Sequence, residues 1–400
     1  MTMTPSPARS EPPVIYLDNA ATSPLHPRAA AEMRRGLDLF GNPSSRHSVG
    51  QTSHEALAAA RAQVAVLLGC APEEVVFTGG GSEAINLALC GTFAAAGFRG
   101  HLVTTGIEHS AVLESAGALR RRGVDVTVVP PLPSGHVDPD AVARELRPDT
   151  VLVSVMHANN ETGAIQPVEE ITRLVHAAGK AVHVDAVQTA GKLPVDRLDA
   201  DLVSVSAHKF GGPKGVGALR LRAGHVLEPI VCGGGQEAGR RAGTENLVGI
   251  LGMASAAAAA LEHTGDPGYR ARRWGMRLRL LDALAELGGV QVNASDPVMA
   301  ETVSVFFAGV RADALADVLD MQGVCVSTGS ACHSGDDSPS HVLTAMGIDR
   351  DRARGTVRIS FGHTTTVEDI DTAARRIVTA VHRLREVSGA RPFSTTGAAS

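Results

Sequence analysis

The sequence has few aromatic residues, no long hydrophobic run and no excess of basic residues. Phe, Trp and Tyr make up 3% of the 400 residues, and the longest apolar stretch, 249–261, is Ala-rich and too short to span a bilayer. The formal net charge is -5 at pH 7 and no basic run is interleaved with aromatics, so neither a nucleic acid nor a membrane is an expected partner. Hydrophobic residues at 44% and charged residues at 20% are typical of an α/β protein with a large core.

Cysteine is sparse and shows no pairing pattern. The five cysteines are an odd number without a C-x-x-C pair, so the sequence predicts no disulfide framework, no zinc ribbon and no metal site. A reducing compartment, the cytoplasm, is therefore expected. Residues 1–13 lack an apolar core and predict a disordered leader rather than a signal peptide, and residues 387–400 predict a disordered tail.

Three familiar active-site motifs are also missing. The chain has no G-x-S-x-G elbow, no Gly-Lys-Ser/Thr phosphate loop and no G-x-G-x-x-G turn, which argues against a triad protease and against ATP or NAD as ligand. Residues 75–77 nevertheless predict a strand that enters a turn from Thr78 to Ser82, with a helix at 83–96. Backbone N–H groups in such a turn can hold a phosphate, although a plain glycine-rich connector has the same pattern.

Short β-branched runs alternate with helical stretches along the first two thirds of the chain. Strands are predicted at 101–105, 125–129, 151–156, 181–185 and 202–206, and helices at 111–122, 139–146 and 168–178. This alternation predicts an α/β fold with a mostly parallel central sheet flanked by helices, plus a smaller α+β domain. The expected division is a large domain over 27–263 and a small domain formed by 14–26 and 264–386.

Polar residues follow the predicted strands where parallel strands end and ligands usually bind. Lys209 comes after strand 202–206, and burial there would lower its pKa and make the amine nucleophilic. Asp185 ends strand 181–185, where a buried carboxylate needs a cationic partner such as a protonated pyridine nitrogen. Taken singly, Lys209 could be a solvated surface lysine and Asp185 a turn cap. His109, Asn160, Gln188 and His208 occupy similar positions.

Cys332 differs from the other cysteines in its neighbours. It lies in STGSACHSGDDSPS, where glycine, serine and aspartate predict a mobile loop with an accessible thiol, whereas Cys325 lies between two valines. Cys332 is therefore the candidate nucleophile, although it could merely occupy a small-residue site. His333 beside it could lower the thiol pKa or could be a solvated loop residue.

The ordered motifs resemble a known family, the class V group of pyridoxal phosphate (PLP) enzymes, and within it the cysteine desulfurases. The resemblance covers nearly the whole folded chain, and it is specific because the motifs occur in combination. They are YLDNAATSP, VVFTGGGSEAINLA, IEHSAV, MHANNETG, VHVDAVQ, SAHKFGGPKGVGAL, GGGQEAGRRAGTEN, GSACHSG and RISFGHTTT. The resemblance implies PLP fold type I and conversion of L-cysteine to L-alanine, with the sulfur carried as a cysteine persulfide to an acceptor protein.

The resemblance also implies roles for single residues. Lys209 is similar to the lysine that forms the Schiff base and takes the Cα proton, and Cys332 to the cysteine that receives the sulfur. Asp185 resembles the partner of the pyridine nitrogen, Gln188 the donor to the ring hydroxyl, and His109 the histidine stacked on the ring. The remaining expected ligands are Gly81, Ser82, Ser206 and His208 for the phosphate, Thr244 from the second subunit of a homodimer for the neighbouring phosphate, and Asn160 with Arg358 for the substrate carboxylate.

Other functions stay open on the sequence. ANNETG, GGGQE, GTEN and ACHS also resemble selenocysteine lyases, which use the same site with selenium in place of sulfur. A PLP aminotransferase acting on a small amino acid and a catalytically silent scaffold are further alternatives. Family members dedicated to iron–sulfur cluster assembly usually continue beyond the last helix, whereas this chain stops at RPFSTTGAAS, so the acceptor is left open: a cluster scaffold, a tRNA thiolation protein or a biosynthetic carrier.

Overall fold

The computed structural model describes residues 14–328 and 339–389. Strands and helices alternate over most of this part of the chain. The strands are β1 (Ile15–Tyr16), β2 (Val75–Thr78), β3 (His101–Thr105), β4 (Asp125–Val129), β5 (Thr150–Met156), β6 (Ala181–Asp185), β7 (Leu202–Ser206), β8 (Gly217–Leu221), β9 (Val290–Val292), β10 (Thr302–Phe307), β11 (Val324–Cys325), β12 (Ser327–Thr328) and β13 (Thr356–Ser360). The α-helices are α1 (Pro27–Gly36), α2 (Ser48–Leu68), α3 (Gly81–Asn86), α4 (Thr92–Ala95), α5 (Ser110–Arg121), α6 (Pro139–Arg144), α7 (Val168–Ala177), α8 (Leu247–Gly265), α9 (Pro267–Ala285), α10 (Ala312–Asp320), α11 (His341–Ala345), α12 (Arg350–Arg354) and α13 (Val367–Ser388), with a π turn, Leu87–Gly91, joining α3 to α4.

The central sheet has seven strands in the order β2-β8-β7-β6-β5-β3-β4. Every neighbouring pair is parallel except the two that involve β8, which runs antiparallel to β2 and β7. The prediction of an α/β fold with a mostly parallel sheet flanked by helices is therefore confirmed. β8 was not predicted, because its sequence GALRL carries a glycine and a charged residue. That residue, Arg220, is buried and donates to the carbonyls of Leu68 and Leu198, which satisfies its guanidinium inside the core.

A second sheet is built from the C-terminal part of the chain. Its order is β12-β13-β10-β9, with antiparallel pairing, and β1 forms a separate parallel pair with β11. β11 and β12 are therefore two short strands in different sheets, although only Val326 separates them. Leu17, just after β1, packs in the same apolar core as Phe361, just after β13. The predicted division into domains stays a prediction, and α13 runs to Ser388, past the expected start of the tail at residue 387.

Helix α8 is longer than the apolar run that was expected to be too short for a bilayer. It has 19 residues, and by length and composition alone it could cross a membrane. Most of it is buried, and Met253, Ala256 and Ala257 lie in the large core, where the helix packs against α1 and α2. Small Ala and Gly side chains let these helices approach closely, so α8 has the features of a core helix.

A buried histidine lies in the middle of the central sheet and joins three neighbouring strands. His183 on β6 lies between two serines on the neighbouring strands, with Nδ1 2.8 Å from Ser154 Oγ on β5 and Nε2 2.9 Å from Ser204 Oγ on β7. Burial lowers the pKa of His183 to about 3. The imidazole is therefore neutral in the folded protein, with one ring nitrogen donating and the other accepting.

His183 should make the fold sensitive to mild acid. In the unfolded chain its pKa returns to about 6.5, so below that pH only the unfolded state takes up the proton, and stability falls until the folded pKa near 3 is reached. We expect His183→Gln to reduce the slope of the unfolding free energy against pH, between about pH 6 and pH 4, by about 1.4 kcal/mol per pH unit. Denaturant titrations at several pH values measure this slope. The exposed His54→Gln is the matched control, and an unchanged slope in His183→Gln would contradict the assignment.

Candidate active site

The carboxyl ends of the parallel strands converge on one cavity of about 190 Å³. Because β2, β3, β5, β6 and β7 all end at the same edge of the sheet, residues far apart in sequence meet there. Of the predicted ligands that lie among the described residues, the cavity contains all except Thr244 and Arg358. The predicted residues that line it are Gly81, Ser82, His109, Asn160, Asp185, Gln188, Ser206, His208 and Lys209, and the others are Ile85, Met156, Ala158 and Val187.

Lys209 lies in a short 3₁₀ turn directly after β7, as the strand-end pattern predicted. The side chain is half-buried, and its Nζ donates to the carbonyls of Ala20 and Ala21 at 2.6 and 2.8 Å. Both acceptors belong to the loop after β1. The chain therefore holds the amine at the wall of the cavity by two backbone carbonyls that come from its N-terminal end.

Asp185 and Gln188 form the wall next to Lys209. Asp185 Oδ1 accepts from the Val187 backbone N–H at 2.9 Å, and burial raises the pKa of this carboxyl to about 6. A cation placed against it would restore an ordinary ionised carboxylate. Gln188 Nε2 donates to the Ala20 carbonyl at 2.9 Å, while its Oε1 is buried with no hydrogen-bond partner among the described residues. The cavity thus offers one carboxylate and one unpartnered acceptor on the same wall.

His109 is a neutral imidazole with a defined orientation. It is the N-cap of α5, where its Nδ1 accepts from the Ala111 backbone N–H at 3.0 Å, and burial lowers its pKa. With Nδ1 accepting, the ring proton is on Nε2. Glu108, which the sequence reasoning missed, is fully buried beside it, and burial raises the pKa of its carboxyl to about 8. Its Oε1 accepts from Thr105 Oγ1 and from the Met156 N–H, so this protonated side chain ties β3 to β5.

The glycine turn after β2 packs directly on the end of β7. A Cβ added to Gly81 would come within 2.8 Å of Val187 Cγ2 and 3.2 Å of Ser206 Cβ, so a larger residue here would require Val187 to shift. His208 completes this side of the cavity, with Nδ1 3.1 Å from Thr22 Oγ1. Burial lowers the pKa of His208 to about 4, so it provides a neutral hydrogen-bonding group and no positive charge.

Arg358 and Asn160 are joined next to the cavity. Arg358 is buried in the centre of β13, and its Nη1 donates to the Asn160 carbonyl at 3.1 Å. Its Nη2 donates to Asp18 Oδ1 at 2.7 Å, a partner that the sequence reasoning missed. The Nε of Arg358 is buried and has no hydrogen-bond partner in the described part of the chain. The guanidinium of Arg358 therefore has a fixed orientation directly behind Asn160, which lines the cavity.

Thr244 lies outside this cavity. Thr244 is exposed and lines a separate cleft, with Thr78 and Gly79, on the other side of the glycine turn. It does not reach the cavity of its own chain. Cys332 and His333 lie outside the described residues.

Comparison with known proteins identifies similar chains over almost the full length. The family model described as aminotransferase class-V matches residues 15–372. A protein of Bacillus subtilis (strain 168) named putative cysteine desulfurase IscS 1 is 43% identical over 377 residues, which cover 92% of this chain and 99% of that protein.

Solved structures agree with this result. A structure titled NIFS-like protein has a TM-score of 0.86 and 37% identity, and the match covers 92% of this chain and 100% of the other. A second, titled SspA in complex with cysteine, has a TM-score of 0.77 and 35% identity, covering 88% of this chain and 99% of the other.

Proposed function

This chain belongs to the class V aminotransferase family and is a cysteine desulfurase, and from that premise we propose that its cavity binds pyridoxal 5′-phosphate and L-cysteine. One observation carries the proposal: a single cavity contains an amine, a buried carboxylate, a neutral imidazole and a glycine turn with hydroxyl groups. An amine, a carboxylate and a phosphate cradle are the groups that PLP requires of a protein.

The residues present fit this cofactor on three points. The buried Asp185 carboxyl, with its raised pKa, suits the positive charge of a pyridinium nitrogen. The unpartnered Gln188 Oε1 is an acceptor, so the ring hydroxyl would donate to it, the reverse of the expected direction. The close packing of Gly81 on Ser206 opens a cradle of backbone and hydroxyl groups for the phosphate, with Ser82 and His208 beside it.

Lys209 is the residue that would move the proton. When bound, PLP supplies an electron sink that makes the Cα proton of an amino acid acidic. The Lys209 amine at the cavity wall would take up that proton and return one to the product. The carbonyls of Ala20 and Ala21 accept from its ammonium form, which fixes the position of Nζ between the two transfers.

The substrate carboxylate would bind beside Arg358 and Asn160. Arg358 Nε is a buried donor without a described partner, and a carboxylate is the ligand that an arginine binds best. Asp18 holds the other end of the guanidinium, so Arg358 approaches the substrate in one orientation.

Cys332 would receive the sulfur. Its thiolate attacks the sulfur of the substrate, the Cβ–S bond breaks and its electron pair stays on carbon. The products are a persulfide on Cys332 and, after protonation of that carbon, alanine. An acceptor protein then takes the outer sulfur from the persulfide.

The protein would work as a homodimer in the cytoplasm. Thr244 is exposed and does not line the cavity of its own chain, which is compatible with a role at the phosphate of a second subunit. The four cysteines in the described part of the chain are free thiols, which suits a reducing compartment.

Product analysis with two substrates tests the function. Purified protein with PLP and a thiol reductant should form alanine and sulfide in equal amounts from L-cysteine without any keto acid. Parallel reactions contain L-selenocysteine, or L-cysteine with a keto acid. Alanine from L-selenocysteine alone would make the protein a selenocysteine lyase, and amino transfer to the keto acid without sulfide would make it an aminotransferase.

A further inference from the structure

A carboxylate lies at the glycine turn, on the side of the cavity that we propose for the phosphate. Glu83 follows Ser82 directly, and its Oε2 accepts from the Gly79 backbone N–H at 2.8 Å. The side chain therefore bends back over the turn that includes Gly81. A negative charge at this position opposes the binding of a phosphate dianion unless a cation neutralises it.

Arg241 neutralises this carboxylate from a distant part of the sequence. Its Nε donates to Glu83 Oε1 at 2.8 Å and its Nη2 approaches Oε2 at 3.4 Å. The side chains of Arg241 and Glu83 are 24% and 23% exposed, so water screens the pair only in part. The hydrogen bond to Glu83 raises the pKa of Arg241, which keeps the guanidinium charged.

The segment that carries Arg241 is itself fixed to the strand before the turn. Glu237 and Ala238 have φ angles of 48° and 56°, a left-handed conformation that is unfavourable for residues other than glycine. The buried Glu237 carboxylate compensates, because it accepts from Arg61 Nη1 and Nη2 at 2.7 Å each and from the Phe77 N–H at 2.9 Å. Arg241 is therefore held in place and is not a loosely placed surface arginine.

The cavity has little positive charge of its own for a phosphate. His208 is neutral near pH 7, and Lys209 is the one cationic side chain among the described residues that line the cavity. We infer that Arg241 is a positioning residue for the cofactor phosphate: by pairing with Glu83 it removes a repulsive charge from the glycine turn without touching the ligand. This inference rests on the proposed binding of PLP.

Binding of PLP and of pyridoxal to the cofactor-free enzyme tests the inference, because pyridoxal lacks the phosphate. Arg241→Gln should raise the Kd for PLP by about ten- to a hundredfold through the unpaired Glu83 carboxylate and leave the Kd for pyridoxal within about twofold. The double variant Arg241→Gln/Glu83→Gln should restore PLP binding to within a few-fold of wild type. Arg240→Gln is the matched control, since this neighbouring half-buried arginine donates to the Glu73 carbonyl and not to Glu83.

Glu83→Gln alone provides a second test that does not depend on the folding of the arginine variant. In this variant no carboxylate neutralises the positive charge of Arg241. The Kd for PLP should therefore fall by about three- to tenfold, while the Kd for pyridoxal should stay unchanged. Equal losses for PLP and pyridoxal in Arg241→Gln, no rescue in the double variant, or no change in Glu83→Gln would each overturn the inference. If the wild-type protein failed to bind PLP, the proposed function would fail instead.

Discussion

Lys209→Ala is expected to lower the rate of alanine formation from L-cysteine by about 10⁴-fold or more, the upper range for loss of a general acid–base group. Lys209 is the only lysine that lines the cavity in the described part of the chain, and the carbonyls of Ala20 and Ala21 fix the position of its Nζ. No other described side chain in the cavity wall can form an imine with an aldehyde. The variant should also lose the absorbance band of lysine-bound PLP.

Two measurements complete this experiment. Alanine formation and the absorbance spectrum are recorded for wild type, Lys209→Ala and the control Lys214→Ala, an exposed lysine five residues further along the same turn-rich segment. Lys214→Ala should keep both the band and most of the activity. A Lys209→Ala protein with the wild-type spectrum would show that another amine holds the cofactor, and a wild-type protein without any band would favour the catalytically silent scaffold.

Cys332→Ser is expected to bind PLP normally and to release sulfide from L-cysteine about 10³-fold more slowly or worse, as is usual when a nucleophile is removed. The substrate still binds at the lysine and the arginine, but no thiolate accepts the sulfur. Cys325 is the neighbouring cysteine in sequence, and burial raises the pKa of its thiol, so this thiol is a poor nucleophile at neutral pH.

The control for this experiment is Cys325→Ser, which should keep sulfide release near the wild-type rate. Mass spectrometry of the wild-type protein after one turnover should detect one additional sulfur atom, and fragmentation of the peptide that contains both cysteines should assign it to Cys332 and not to Cys325. Undiminished sulfide release by Cys332→Ser would refute the role given to Cys332. Loss of sulfide release in Cys325→Ser would assign that role to Cys325 instead.

Local sequence patterns predicted the centre of the fold well. The runs 101–105, 125–129, 181–185 and 202–206 are strands with the predicted bounds, because buried parallel strands are short, continuous and β-branched. The polar residues that follow them share one cavity for the same reason. In contrast, β8 was missed because a buried arginine inside a strand is stable only through carbonyls supplied by distant segments.

The missed parts of the site depend on long-range contacts. Asp18 and Arg358 are 340 residues apart in sequence, and Arg241 is 158 residues from Glu83, so no local pattern indicates that they pair. Glu108 lies inside a motif that was noticed for His109, but its raised pKa depends on complete burial between β3 and β5. The order of the motifs identified the family, while charge pairing around the cavity required the tertiary structure.

The loop after β1 gives the enzyme an unusual order of assembly during translation. Ala20 and Ala21, which are synthesised early, hold Lys209, while Asn19 and Ala20 are held in turn by Ser360, which is synthesised about 340 residues later. A nascent chain that already contains the whole central sheet therefore still lacks the support for its N-terminal loop. The position of the Lys209 amine therefore depends on contacts that form only once the chain extends past residue 360, so a chain that terminates near residue 350 should contain the central sheet but lack this support.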